Sequence, residues 1–200
     1  MAPHLAVSNE RDPMFEQKKH RQKAFDIIKQ RSFGRKKITL ASGKESDFYF
    51  DMKPTMLMPE GANALAELIL GRLDPKQVGY VGGLAIGAVP LLGPIAVVSY
   101  QKGRPIPTFF VRSEAKTHGT MRKLEGVMPD ELRGQDVVIL EDVTTTGASA
   151  MIAVEEARKA GANVILILSV VDRGEGAAEF YKEKGIPFES LFTAKEFLDA

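Results

Sequence analysis

Residues 137–149, Val-Val-Ile-Leu-Glu-Asp-Val-Thr-Thr-Thr-Gly-Ala-Ser, restrict the fold more than any other segment of the chain. The apolar run Val137 to Leu140 reads as a buried strand that leads straight into two adjacent carboxylates, Glu141 and Asp142. A loop of small residues follows, Thr144-Thr145-Thr146-Gly147-Ala148-Ser149, and after it a helical pattern. A strand that ends in a hydroxyl- and glycine-rich turn opening a helix wraps backbone N–H groups around a phosphate, and the helix N-terminus adds positive potential. Phosphate alone does not explain the carboxylates, which would repel it. A ligand with hydroxyl groups beside its phosphate, as in a ribose 5-phosphate, explains both.

The rest of the chain supplies more units of the same kind. Helical spacing over Phe15–Ser32, Pro59–Leu73, Val89–Tyr100 and Ser149–Ala160 alternates with apolar strands at Val78–Val81, Ile106–Val111 and Asn163–Asp172. A hairpin is expected over Ile38–Met52, turning at Ser42-Gly43-Lys44, and a helix, a strand and a short helix over Phe180–Ala200. Strands alternating with helices imply an α/β fold, a mainly parallel sheet flanked by helices. The length suits one domain, over residues 15–200, with residues 1–14 as a flexible tail. Arg112 to Arg133 is polar and lacks apolar periodicity, so it is expected to be a long functional loop.

Composition removes several classes of function. Lys and Arg number 27 against 26 Asp and Glu, which argues against a protein held to nucleic acid by its net charge. With no cysteine, there is no disulfide, thiolate metal site or cysteine nucleophile, and a cytoplasmic location fits. Gln77 to Gln101 carries no charge, yet its five glycines and Pro90 and Pro94 suit a strand, a glycine loop and a buried helix rather than a membrane span.

Glu141-Asp142-Val143-Thr144-Thr145-Thr146-Gly147-Ala148-Ser149 resembles the signature with which type I phosphoribosyltransferases bind phosphoribosyl pyrophosphate (PRPP). Three further blocks make the chain similar to the orotate phosphoribosyltransferases in particular, over about Phe25 to Leu198. Thr39 to Asp51 resembles the N-terminal segment whose aromatics lie against the pyrimidine; Tyr49 and Phe50 read equally well as base contacts or as core aromatics. Val111 to Gly119, continuing to Glu125-Gly126, resembles the mobile catalytic loop. Val170 to Gly176 resembles the Asp-Arg-x-Glu block, whose Arg173 reaches the base.

The resemblance implies a phosphoribosyltransferase fold with a small N-terminal hood. It implies that the acidic pair holds the ribose hydroxyls and residues 143–149 the 5-phosphate. Arg112, Ser113, Lys116 and His118 would meet the diphosphate, with Arg112, Lys116 and His118 catalytic, and Thr145, Arg173, Tyr49 and Phe50 would meet orotate. It also implies Mg²⁺ held mostly by substrate oxygens, with no dedicated protein metal site, and a homodimer in which the loop of one subunit completes the site of the other. Neither nucleic acid nor membrane is expected as a partner. Ala41, Ser113 and Gly87 stand where some members carry a basic residue. A purine or uracil phosphoribosyltransferase, a PRPP-sensing regulator and a fused enzyme that also decarboxylates its product are the competing readings.

Overall fold

The protein is described from a computed structural model that covers residues 13–39, 45–73, 77–114, 123–128 and 130–200. Its centre is a six-stranded sheet in the order β5-β4-β3-β6-β7-β8. The strands are β3 (Tyr80–Leu84), β4 (Thr108–Val111), β5 (Leu124–Glu125), β6 (Asp136–Thr144), β7 (Asn163–Asp172) and β8 (Phe188–Thr193). All neighbours are parallel except β4 and β5. Parallel pairing requires crossovers, and the chain supplies them with α4 (Val89–Gln101), α5 (Ala148–Lys159) and α6 (Ala177–Glu183).

Alternation along β6 divides the interior in two. Val138 and Leu140 join a core with helices α3 (Pro59–Arg72) and α4, and with α1 (Pro13–Arg31) beyond them. Val137 and Ile139 face the other way, against Ala150, Ala153, Val154 and Ala157 of α5 and Tyr181 of α6. Each of these β6 side chains is at most 1% exposed, and burying a side chain of this size contributes about 1.5–3 kcal/mol. The central strand therefore belongs to both cores at once.

The order of the strands creates the site. From β3 the chain moves outward to β4, then returns to lay β6 on the opposite flank of β3. At such a switch point the two following loops diverge and leave a crevice at the carboxyl ends of the strands. The last β3–β6 pair is Gly83 with Leu140, whereas β6 continues beside β7 as far as Thr144 with Asp172. Glu141 and Asp142 thus lie within the strand, on a stretch that has lost one neighbour, and not beyond its end as the apolar run alone predicts.

The hood is a separate antiparallel hairpin, β1 (Phe33–Thr39) with β2 (Glu45–Phe50); the turn expected at Ser42-Gly43-Lys44 lies outside the described residues. Its inner aromatics lock onto the C-terminal helix α7 (Ala194–Leu198). Phe33 and Phe50 lie 5.8 and 5.2 Å from the Phe197 ring, which itself stacks on Phe25 of α1 at 4.5 Å. The sequence pattern missed a one-turn helix, α2 (Lys53–Met56), which joins hood to core through buried Thr55 and Met56. Among the described residues no helix is long and apolar enough to cross a membrane.

Candidate active site

Neighbouring residues on a strand point to opposite faces, so the two carboxylates leave β6 in different directions. Asp142 faces the loop after β3: a methyl group placed on Gly87 would sit 2.6 Å from its Oδ1, so a larger residue there would require the carboxylate to move. Glu141 faces α5 and α6. Its Oε2 accepts a hydrogen bond from Thr144 Oγ1 at 2.8 Å and a longer one from the Tyr181 hydroxyl at 3.3 Å. Between them opens a cavity of about 200 Å³ lined by Leu84, Gly87, Glu141, Asp142 and Ser149.

Burial dominates the electrostatics of this pair. It raises the pKa of Glu141 to about 7, against the hydrogen bond from Thr144, with the charge of Asp142 adding to the rise and the Tyr181 hydrogen bond opposing it. Asp142 is also raised, first by burial, while hydrogen bonds from its own and the Val143 backbone and the charge of Lys53 pull the other way. Two partly desolvated carboxylates side by side are costly to ionise together. Donors from a ligand, such as vicinal hydroxyls, relieve them.

The loop behind them is shaped as an anion cradle. Gly147 caps α5 from the left-handed region at φ 90°, and a methyl group there would lie 2.7 Å from Tyr181 Cζ. No side chain caps the helix, so its first N–H groups remain for a ligand. Thr146, Ala148 and Ser149 are exposed, Thr145 half-buried, and Thr144 fully buried beneath them. An open row of amides rests on a closed floor.

Arg173 follows β7 and is tied to the same loop, its backbone N–H donating to the Thr144 carbonyl at 2.9 Å. Its guanidinium donates through Nε to Glu175 at 2.7 Å and through Nη2 to Ser46 Oγ at 2.9 Å, and lies 4.3 Å above the Phe48 ring. This arrangement brings hood and core together. Alternation on β2 sends Ser46, Phe48 and Phe50 to one face. Phe50 stays in the aromatic cluster around Phe197, whereas Tyr49 projects to the other side of the hairpin with its ring across Gly34. The aromatic that meets Arg173 is therefore Phe48, and period-two reading of Glu45–Phe50 is the signal that singles it out.

Arg112 and Ser113 are exposed at the end of β4. The segment after them is not all loop: Leu124 and Glu125 return to pair with Val111 and Phe110, and Arg112 N–H donates to the Lys123 carbonyl at 2.8 Å. Both stems of the segment 113–122 thus stand at the carboxyl end of β4, one strand from the crevice. Lys116 and His118 lie outside the described residues. Nearby, Lys53 pairs with Asp51 at 2.6 Å and senses the charge of Asp142. A larger cavity, about 520 Å³, lies at the amino ends of the strands near Glu16, His20, Glu67 and Lys102. Its charges are largely paired internally, Lys102 with Glu67 at 2.8 Å and His20 with Glu16 at 3.8 Å, and it is on the wrong side of the sheet to share this chemistry.

Comparison with known proteins places this geometry. The family described as "Phosphoribosyl transferase domain" matches residues 55–196. An orotate phosphoribosyltransferase from Bradyrhizobium sp. strain BTAi1 is 55% identical over 179 residues, which cover 89% of this chain and 97% of that one. The chain belongs to the orotate phosphoribosyltransferase family. A crystal structure of the orotate phosphoribosyltransferase of Mycobacterium tuberculosis superposes with a TM-score of 0.74 at 33% identity, covering 89% of this chain and 98% of the other. The same M. tuberculosis protein in complex with PRPP gives a TM-score of 0.70 at 30% identity with equal coverage. The α/β architecture, a largely parallel sheet between helices, is that of the type I phosphoribosyltransferases.

Proposed function

We infer that the protein transfers the 5-phosphoribosyl group of PRPP to orotate, giving orotidine 5-monophosphate and diphosphate, a step of pyrimidine synthesis. Membership of the family supports the reaction. The observation that carries it onto this chain is the joining, through one backbone hydrogen bond, of an acidic pair with a phosphate cradle to a guanidinium seated on an aromatic ring.

Glu141 and Asp142 accept the ribose 2- and 3-hydroxyls, and the amides and hydroxyls of residues 143–149 hold the 5-phosphate. Orotate lies toward Thr145, Arg173 and the hood, where Phe48 and Ser46 are better placed than Tyr49 or Phe50. The planar fork of an arginine suits an anionic pyrimidine. C1 then loses diphosphate through an oxocarbenium-like transition state as the ring nitrogen approaches from the opposite face. No covalent nucleophile is needed, since positioning and charge stabilisation supply the rate. Arg112, Ser113, Lys116 and His118 belong to the segment that covers the departing diphosphate, with His118 the candidate proton donor to it.

Among the described residues no group of three or more acidic or histidine side chains could hold a metal. The carboxylate oxygens of Glu141 and Asp142 would nonetheless suit Mg²⁺ carried by the substrate, which would supply positive charge to the leaving diphosphate. A homodimer is supported by an uncharged helix, α4, that shows solvent an apolar edge: Val97 is 57% and Tyr100 75% exposed, and Ile86 just before it 72%. We read residues 15–200 as one domain, and a reaction on small phosphorylated substrates fits a cytoplasmic location.

Loss of orotate's ultraviolet absorbance with PRPP and Mg²⁺, using purines and uracil as controls, tests this reading. Orotate alone is expected to be consumed. Tight PRPP binding without loss of any base would instead identify a sensor, and consumption of uracil or a purine would move the specificity.

A further inference from the structure

Among the described residues Tyr181 is the largest side chain sealed completely inside the protein, at 0% exposure, and nothing in the reaction as described uses it. Its ring packs between Phe180 at 5.6 Å and Phe188 at 5.0 Å. Its hydroxyl nevertheless leaves the apolar cluster and reaches polar groups of β6 and the loop before α5. Its single proton is shared between two acceptors, the Gly147 carbonyl at 2.9 Å and Glu141 Oε2 at 3.3 Å. The left-handed cap of α5 and the strand-borne carboxylate therefore meet at a single oxygen atom. Because a methyl group on Gly147 would strike this ring, loop and phenol fit together as a matched pair.

We propose that Tyr181 is a positioning residue that holds the ribose-facing carboxylate of Glu141 and the phosphate loop at Gly147 at a fixed separation, so that both ends of a ribose 5-phosphate are met together. The inference rests on the reading that PRPP occupies this crevice. A ligand gripped at two points loses affinity when the distance between them drifts, even where each grip survives. The phenol also bears on the charge state of Glu141. Its hydrogen bond favours the ionised carboxylate, as does that of Thr144, while burial and the charge of Asp142 oppose ionisation. Asp172 is the other acid close enough to act on the phenol. An ionised Glu141 is the form that accepts two donors from a diol.

Tyr181→Phe keeps the ring and removes only the hydroxyl. It is expected to raise KM for PRPP about tenfold with little change in kcat or in KM for orotate, because the lost contact serves ground-state binding. The acid limb of kcat/KM for PRPP should move to higher pH, since a bond that favours the carboxylate is gone. Phe188→Leu, on the other side of the Tyr181 ring from Gly147, is the control for packing: it should lower Tm while leaving KM for PRPP and the pH profile in place. The proposal is overturned if Tyr181→Phe keeps the wild-type KM for PRPP and acid limb, or if it does no more than Phe188→Leu does. A wild-type protein that binds no PRPP by calorimetry overturns the reading of the crevice and this inference with it; PRPP binding that is indifferent to Tyr181→Phe overturns this inference alone.

Discussion

The two ends of the crevice are built differently. The end proposed for the sugar phosphate is a single stretch of chain, residues 141–149, mounted on the central strand and braced from beneath by Tyr181. The end proposed for the base is assembled from parts: Arg173 comes from the end of β7 and Ser46, 127 residues away, from a hairpin outside the main sheet. The first is fixed by strand pairing on one flank and a buried floor. The second depends on how the hood seats over the core, which aromatic contacts with Phe197 maintain. On the proposed reading, the contiguous part would grip the sugar phosphate, and the part assembled from distant segments would meet the base.

That contrast can be broken by experiment. Asp142→Asn should be the most damaging change, lowering kcat/KM for PRPP by about 10²–10³-fold, the scale for an interaction with a buried charged group; titration calorimetry with PRPP and Mg²⁺ would locate the loss in binding. Equal affinity in the variant would detach the acidic pair from the ribose.

Glu141→Gln should separate function from stability. The folded-state pKa of Glu141, about 7, lies above its ordinary 4.5, so the folded protein holds a proton that the unfolded chain releases between those values. The stability gained from that proton is complete below about pH 4.5 and is lost as pH rises through 7, up to about 3 kcal/mol. Without ligand, the variant should therefore gain on wild type in urea denaturation at pH 8 and show little difference at pH 5. With PRPP present the order should reverse.

At the base end, Arg173→Met should raise KM for orotate about thirtyfold through loss of charged hydrogen bonds, with PRPP affinity by calorimetry unchanged. If PRPP binding fell by as much, the two ends would not be separable. Phe48→Leu should have the smallest effect, about fivefold on KM for orotate, the worth of one cation–π contact. Tyr49→Leu, on the opposite face of the hairpin, should leave that KM in place.

What the sequence made legible follows the same division. The strand at Asn163–Asp172 and helix α5 within a residue of its start were read directly, because long apolar or periodic runs record local structure. The turn between β6 and α5 was legible because its small residues are contiguous. The length of β6 was not: Glu141 and Asp142 interrupt its apolar pattern, and only pairing with β7 keeps them extended. The hairpin begins five residues before Ile38, since Arg35-Lys36-Lys37 conceal a strand whose register slips between Arg35 and Ile38. Short α2 and β5 have too few residues to show a period. Ser46 and Phe48 were on the page as letters, but their meeting with Arg173 is tertiary, as is that of Tyr181 with a carboxylate 40 residues away.

The unequal lengths of β3 and β6 have a lasting consequence. Since β3 stops at Leu84 while its neighbour runs on to Thr144, the ledge that carries the acids exists through an omission, a row of ladder bonds that were never made. Such a ledge does not depend on which side chains decorate the hood. On the proposed reading, mutation can explore new heterocycles at one margin without disturbing the hold on the sugar at the other, and a single scaffold would acquire a different base preference by exchanging a few residues around Arg173.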